Sequence, residues 1–443
     1  MRSPSGYDAD KKKFFNPIAR NTTKIVLGIV VVGILLFLMR SDMNWNLPVG
    51  ARKANCALFG KRYGLMLDAG STGSRVHAFE FNYHENGAVE LIDELFEQVK
   101  PGLSAFANDP KGAAQSLKPL LDAAMKKVPA AAAPCTPIEL KATAGLRLVG
   151  QEKSEAILAA VLELFKQYPF SVAGPDAAIV MDGKDEGPYA WMTVNFLLDT
   201  MNTRTTAKTA AIFDMGGAST QIVFRPDDDA VMAAVTADKT YQVITEGYST
   251  KLYTHSHLGY GLKQANKLMM KESLAEFDKV FPCFPKGVSE TADGVTAENV
   301  AGEQSFEKCQ RLATRVLFKD KACSSLSCSF NGVDQPVLSK TFTGPYYVFS
   351  YFYDRMAAFL NADGVSSVGD LRKMAEGVCA GAAAPYAEHN KGTMCMDLTY
   401  LYTLLRTGYD LPDETTLYVK KKIKGIETAW SLGAMMVAMK PKQ

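Results

Sequence analysis

The stretch Leu65-Met66-Leu67-Asp68-Ala69-Gly70-Ser71-Thr72-Gly73-Ser74-Arg75-Val76 carries the reading of the fold. An apolar run leads into one acid, then a turn built only of small residues, then a second apolar run that continues to Phe81. This pattern predicts a β-hairpin whose tip is Gly, Ser and Thr. A tip without bulk lets backbone N–H groups and hydroxyls converge on an anion such as phosphate. Such tips are also ordinary turns, and this stretch alone leaves both readings open.

A second copy separates them. Ile212-Phe213-Asp214-Met215-Gly216-Gly217-Ala218-Ser219-Thr220-Gln221-Ile222-Val223 repeats the plan of apolar run, Asp, small residues, hydroxyls and apolar run. The two acids lie 146 positions apart, about the length of a domain. A repeat at that spacing predicts duplicated lobes, each offering one hairpin to a shared cleft. Two facing phosphate hairpins would hold a polyphosphate from both sides.

The rest of the 443-residue chain is read against that frame. It is long enough for two α/β domains with buried cores. With 49 basic and 47 acidic residues the net charge is +2, and no segment forms a basic track, which argues against a nucleic-acid partner. Ile25 to Met39 is an apolar run of 15 residues, preceded by Arg2, Lys11, Lys12, Lys13, Arg20 and Lys24. It predicts an uncleaved signal anchor with a cytosolic N-terminus, the rival being a cleaved signal peptide. Eight cysteines with close spacings fit disulfides in an oxidising lumen, and none has zinc-site spacing.

Beyond the hairpins, Ile138 to Leu140 reads as a strand that delivers Lys141-Ala142-Thr143-Ala144-Gly145-Leu146-Arg147 at its end, where Thr143 is either a ligand contact or a helix cap. In Gly183-Lys184-Asp185-Glu186-Gly187-Pro188-Tyr189-Ala190-Trp191, Pro188 takes the place of a first helical residue. Glu186 would then lie at the positive helix end, either as a base that orients water or as a plain dipole acid. Trp191, Val194, Asn195 and Leu198 share one helical face, and Asn195 there needs a partner. The aromatic stretch Tyr346-Tyr347-Val348-Phe349-Ser350-Tyr351-Phe352-Tyr353-Asp354-Arg355 is core, with one or two rings available to stack on a base. Ile426 to Ala434 reads as an amphipathic helix.

Taken together, these stretches resemble the apyrase, or nucleoside di- and triphosphatase, family. Its five signature motifs correspond in order to Asp68 to Ser74, Ala142 to Arg147, Asp185 to Leu198, Asp214 to Gln221 and Trp430 to Ala434. Ser256 to Leu262, Phe349 to Arg355 and Leu404 to Asp410 look most like the Golgi guanosine diphosphatase branch. The resemblance implies an α/β, actin-like fold of two RNase-H-like lobes around a nucleotide cleft, with an N-terminal transmembrane helix. The expected organisation is a cytosolic tail at 1–24, the anchor at 25–39, a lumenal stem at 40–60, lobe I at 61–190, lobe II at 191–425 and a helix at 426–443 that returns to lobe I. The implied address is the Golgi membrane, single-pass, with the catalytic region in the lumen.

The same resemblance implies the chemistry. Glu186 would be the base, with Ser219 and Gln221 holding the attacking water. Ser71, Thr72, Gly73, Ser74, Gly216, Gly217 and Ala218 would cradle the phosphates. Asp68 and Asp214 would hold Ca²⁺ or Mg²⁺ through its water shell, with Thr143, Asn195 and Trp430 lining the metal side. Tyr353 and Tyr400 would stack on the base. Spacing and resemblance pair Cys283 with Cys309, Cys323 with Cys328 and Cys379 with Cys395, and leave Cys56 and Cys135 unassigned. Gly216-Gly217-Ala218 departs from the three glycines common in the family, and the alanine fits only if its φ is negative. The implied reaction is metal-dependent hydrolysis of GDP, and with it UDP, to monophosphate and phosphate in support of glycosylation. A broad apyrase that also takes triphosphates and an actin-like nucleotide-binding module with little turnover are the competing readings.

Overall fold

The computed structural model describes residue 56 and residues 60–440, apart from 202–207, 246–247, 277–279, 293, 301–303, 325–326 and 383. Among the described residues no helix is long and apolar enough to cross a membrane. The run 25–39, the tail before it and most of the stem lie outside the described residues. The expected transmembrane helix is therefore corrected, and with it the membrane partner and the single-pass Golgi address. At 15 residues the run falls short of the roughly 20 that a helix needs to span a hydrocarbon core.

Two sheets organise the chain. The first has the order β3-β2-β1-β4-β5, from β1 (Gly60–Ala69), β2 (Ser74–Tyr83), β3 (Val89–Val99), β4 (Ile138–Ala142) and β5 (Ala178–Val180). β1, β2 and β3 are joined antiparallel, while β4 lies parallel to β1 and β5 parallel to β4. The second sheet draws on β6 (Ala211–Met215), β7 (Ser219–Phe224), β8 (Thr240–Thr245) and β9 (Tyr248–Leu258). After a separate hairpin of β10 (Ser289–Ala292) and β11 (Val295–Glu298), it adds β12 (Tyr346–Ser350), β13 (Val365–Ser367) and β14 (Thr416–Val419). Around β6 the plan of the first sheet recurs: β7 and β9 follow antiparallel on one side, and β12 and β14 lie parallel on the other. The duplicated strand order places Asp68 and Asp214 at equivalent ends of the two central strands.

Alternation along these strands decides what each side chain meets. In β1, Leu65, Leu67 and Ala69 enter a core under the helices Pro110–Ser116, Lys118–Lys127 and Gln151–Phe165, while Met66 points the other way. In β7, Ile222 and Phe224 enter a core under the helices Leu262–Glu276, Phe306–Val316, Val368–Cys379 and Met394–Thr403. Val223 points with Met66 into a third core between the sheets. That middle layer is filled by the helices Gly183–Leu197 and Ser431–Ala438, through Trp191, Val194, Leu432 and Met435.

Two expected boundaries move. The central helix starts at Gly183, because Asp182 caps it by accepting from the Lys184 amide at 3.0 Å, so Pro188 lies inside the helix and not at its first position. The last helix starts at Ser431. Ile426–Glu427 forms instead a short strand, β16, paired with β15 (Lys422–Ile423). Gly433 is required where this helix crosses the central one, since a Cβ there would collide with the Tyr189 carbonyl oxygen.

The cysteines form four disulfides: Cys283–Cys309, Cys323–Cys328, Cys379–Cys395 and Cys56–Cys135. The last ties residue 56 to the loop that precedes β4, closing 79 positions of chain.

Candidate active site

Between the sheets lies a cleft of about 520 Å³. Its floor is the two hairpin tips: Gly70, Ser71 and Thr72 from the β1–β2 turn, and Gly216, Gly217, Ala218 and Ser219 from the β6–β7 turn. The tips approach closely, and a Cβ on Gly217 would stand 2.7 Å from Ser71 Oγ. Ala218 is not among the residues with positive φ, so the alanine fits the turn. Gly73 and Ser74 do not line the cleft. Gly73 packs on the Val99 carbonyl oxygen, and Ser74 is fully buried as the first residue of β2. Both support the turn from behind, a correction to their place as phosphate contacts.

Three carboxylates converge on this floor. Asp68 and Asp214 end the central strands, and each has one carboxylate oxygen, Oδ1, buried without a hydrogen-bond partner. The other oxygen of Asp68 accepts from Arg75 Nη1 at 2.9 Å. Burial pushes the Asp214 carboxyl up to about 6, with the Ser350 side chain pulling down and the charge of Asp68 pushing further up. Glu186 sits in the first turn of the central helix and is only 6% exposed. Burial raises its carboxyl to about 7, against the pull of Arg147, and the charge of Asp214 adds to the rise. A carboxylate titrating near neutrality, inside a cleft, is matched to proton abstraction.

Arg147 was not singled out from the sequence, yet its Nη2 donates to Glu186 Oε2. At the end of the one-turn helix Ala144–Arg147 its charge reads as a dipole partner for that helix, and nothing in the spacing points across to residue 186. Thr143 precedes this turn but makes no capping bond, and it lines the cleft together with Trp430.

Ser219 lines the cleft next to the second tip. Gln221, two positions along the same strand face, donates to Ser219 Oγ at 2.8 Å and to Ser256 Oγ at 2.9 Å. Strand pairing sets this contact, since Gln221 lies opposite Ser256 on β9 and opposite Asp214 on β6. Gln221 itself does not line the cleft, so it acts by orienting Ser219. Ser256 joins the site through the same register.

Two expected contacts are elsewhere. Asn195 is fully buried: its Nδ2 donates to the Trp191 and Ala210 carbonyls, and its Oδ1 accepts from the Ala210 amide and Thr200 Oγ1. Its polar atoms are spent on tying the central helix to the start of β6, which removes it from the metal side. Tyr400 is also fully buried, with its hydroxyl donating to the Tyr260 carbonyl at 2.7 Å, so it is a core ring and not a base-stacking one. Tyr353 does line the cleft, with Tyr351 and Arg355 beside it.

Behind the floor, His77 is buried between two acids, its Nδ1 2.7 Å from Glu94 Oε1 and its Nε2 3.5 Å from Glu427 Oε2. Burial alone would lower its pKa, but the hydrogen bond to Glu94 and the charge of Glu427 leave it raised. Glu427 lines the cleft, so this arrangement holds the segment leading to Trp430 against the first lobe.

The family described as GDA1/CD39 (nucleoside phosphatase) matches residues 59–443. The chain is 40% identical over 414 residues to the guanosine-diphosphatase of Schizosaccharomyces pombe, covering 85% of this chain and 73% of that one. It is 42% identical over 423 residues to the guanosine-diphosphatase of Candida albicans, covering 84% and 70%. Against the nucleoside diphosphate phosphatase ENTPD5 of Homo sapiens it is 36% identical over 400 residues, covering 84% and 86%. Among solved structures, nucleoside triphosphate hydrolases from Neospora caninum superpose with a TM-score of 0.63 at 14% identity, covering 93% of this chain and 96% of that one, a likeness of fold alone.

Proposed function

From the premise that this chain belongs to the GDA1/CD39 nucleoside phosphatase family, we propose the following division of labour in its cleft. The chain is a nucleoside diphosphatase: it hydrolyses nucleoside diphosphates of the GDP and UDP type, as its guanosine-diphosphatase and ENTPD5 relatives are named for doing. Glu186 takes the proton of a water while that water's oxygen forms a bond to the terminal phosphorus. The anhydride P–O bond breaks on the opposite side, and the nucleoside monophosphate leaves with the bridging oxygen. Ser219, oriented by Gln221, holds the water. Ser71, Thr72, Gly216, Gly217 and Ala218 surround the phosphate oxygens with small side chains and backbone N–H groups. Phosphoryl transfer depends mostly on such positioning and charge neutralisation.

The observation that carries this reading is Glu186, a buried carboxylate raised to about 7 at the edge of two facing anion hairpins. A protein that only bound nucleotide would have no use for a water-activating base there.

A divalent cation fits this donor set. The unpartnered Oδ1 atoms of Asp68 and Asp214 are hard acceptors, and among the described residues no cluster of three or more His, Cys, Asp or Glu could hold an ion directly. Asp68 and Asp214 would hold Ca²⁺ or Mg²⁺ through water ligands, with Thr143 and Trp430 alongside. The ion would neutralise phosphate charge.

Phosphate release from GDP, UDP, ADP and GTP by the wild type and by Glu186→Gln tests the assignment. The base reading requires Glu186→Gln to lose about 10²-fold or more of kcat while still binding nucleotide. A variant as fast as the wild type would overturn it. Release from GTP at a rate comparable to GDP would favour a broad apyrase.

A further inference from the structure

On lobe II the cleft wall runs past the second hairpin onto the end of β12 and the helix Tyr351–Met356. Ser350, Tyr351, Tyr353 and Arg355 face the cleft from this stretch. The hydrolytic steps use none of these side chains.

Arg355 is held in place from behind. Its Nε donates to Asp397 Oδ2 at 2.6 Å, and Asp397 is fully buried. The same carboxylate accepts from Thr393 Oγ1 at 2.9 Å and from Asn266 Nδ2 at 2.6 Å. The guanidinium carbon lies 5.1 Å from the centroid of the Tyr351 ring. A buried acid with three donors thus fixes the orientation of an arginine whose remaining N–H groups are free to serve the cleft. Tyr351 engages Thr72 of the first hairpin tip through its hydroxyl, so Arg355, one helical turn further on, stands beyond the phosphate end of the cleft. Tyr353 offers a ring on the same wall.

We propose that Arg355 selects the nucleobase, favouring bases that carry a carbonyl oxygen (guanine, hypoxanthine and uracil) over those with an amine at that position (adenine and cytosine). This rests on the nucleoside diphosphatase reading of the cleft. A guanidinium donates and never accepts, so it pairs with O6 and N7 of guanine in one plane and with O4 of uracil. Against adenine or cytosine the same N–H groups face an exocyclic NH₂, and a desolvated donor is left without an acceptor. The Asp397 anchor makes this discrimination stringent, because the guanidinium cannot swing away without leaving a buried carboxylate unpaired.

The test is kcat/KM of the full chain on GDP, IDP, UDP, ADP and CDP, for the wild type, Arg355→Lys and Arg355→Met. The wild type should prefer GDP, IDP and UDP. Arg355→Met should lower kcat/KM on these three by about tenfold or more while ADP and CDP stay within about threefold. Arg355→Lys keeps a cation near Asp397 but lacks the planar fork, so it should melt like the wild type and still lose most of the selectivity. Because the readout is a ratio between substrates, a partly unfolded preparation cannot mimic it. A loss equal on all five substrates, or an unchanged preference, would overturn the proposal. A wild type that releases no phosphate from any of the five would overturn the diphosphatase reading itself, and is told apart by that.

Discussion

Arg147, on a one-turn helix of lobe I, donates to the carboxylate of Glu186, on the helix that fills the layer between the lobes, and both side chains are largely removed from water. The cation offsets part of the burial that raises Glu186, leaving its carboxyl near 7. A base works only when ionised, so kcat/KM should rise with pH through an acid limb centred near 7. Replacing Arg147 by Met removes an influence that lowers the Glu186 pKa, so the limb should move to higher pH and the rate at neutrality should fall. A pH–rate profile of the two proteins measures the displacement. An unmoved limb in Arg147→Met would mean that a group other than Glu186 sets it.

The unpartnered oxygens of Asp68 and Asp214 make the cation requirement testable. Chelation should abolish phosphate release, and Ca²⁺ or Mg²⁺ should restore it. Asp68→Asn and Asp214→Asn should each raise the metal concentration needed for half-activation by about tenfold or more. Titration of chelator-treated enzyme decides this, and full activity in chelator would remove the cation from the scheme.

The closeness of the hairpin tips gives a steric prediction. In Gly217→Ala the new methyl meets Ser71 Oγ at 2.7 Å, so the tips must part. Catalysis by positioning is sensitive to such a displacement, and kcat/KM should fall by about 10²-fold while the melting temperature barely changes. Side-by-side kinetics and thermal melts would separate this from general destabilisation, which would lower both.

A structural histidine sets the acid side of stability. His257 is buried, stacks on Phe330 at 4.1 Å between ring centroids, and has an Nε2 without a partner. Burial depresses its pKa well below the ordinary histidine value, and the neighbouring His255 adds to this. The unfolded chain therefore takes up a proton that the folded chain refuses. Stability should hold above about pH 6.5 and decline as pH falls below it. His257→Phe should flatten that decline, as read from denaturant midpoints at pH 5 and pH 7.

The crossing of the two middle helices depends on a single missing methyl. Gly433→Ala drives a Cβ into the Tyr189 carbonyl oxygen, which is backbone and cannot give way by changing rotamer. A loss of about 1–3 kcal/mol is expected by chemical denaturation. Trp430 and Thr428 lie just before this helix on the cleft wall, so activity should fall with it.

Much of this was legible before any coordinates. Apolar runs broken by Asp and small residues announced both hairpins, because strand alternation and turn chemistry are local properties. The strand Ile138–Ala142, the helix Gln151–Phe165 and the presence of Glu186 at a helix start are local for the same reason. Where the reading missed, the cause was tertiary. Helical spacing put Trp191 and Asn195 on one face, but the central helix is covered from both sides, so that face meets core and not cleft. Tyr400 lies on a helix with nine consecutive buried residues from Cys395 to Thr403, where periodicity cannot say which ring is near a ligand. Gln221 and Ser256 meet only because two strands take one register.

By itself the sequence determined the repeat, the two acids at equivalent strand ends and the small-residue tips, since each follows from the chemistry of a few neighbouring residues. The tertiary structure alone decided that Arg147 answers Glu186, that Asp397 anchors Arg355 from 42 positions away, and that Asn195 and Tyr400 serve the core. Periodicity specifies a side chain's direction relative to its own element. What lies in that direction depends on how sheets and helices from distant parts of the chain pack together.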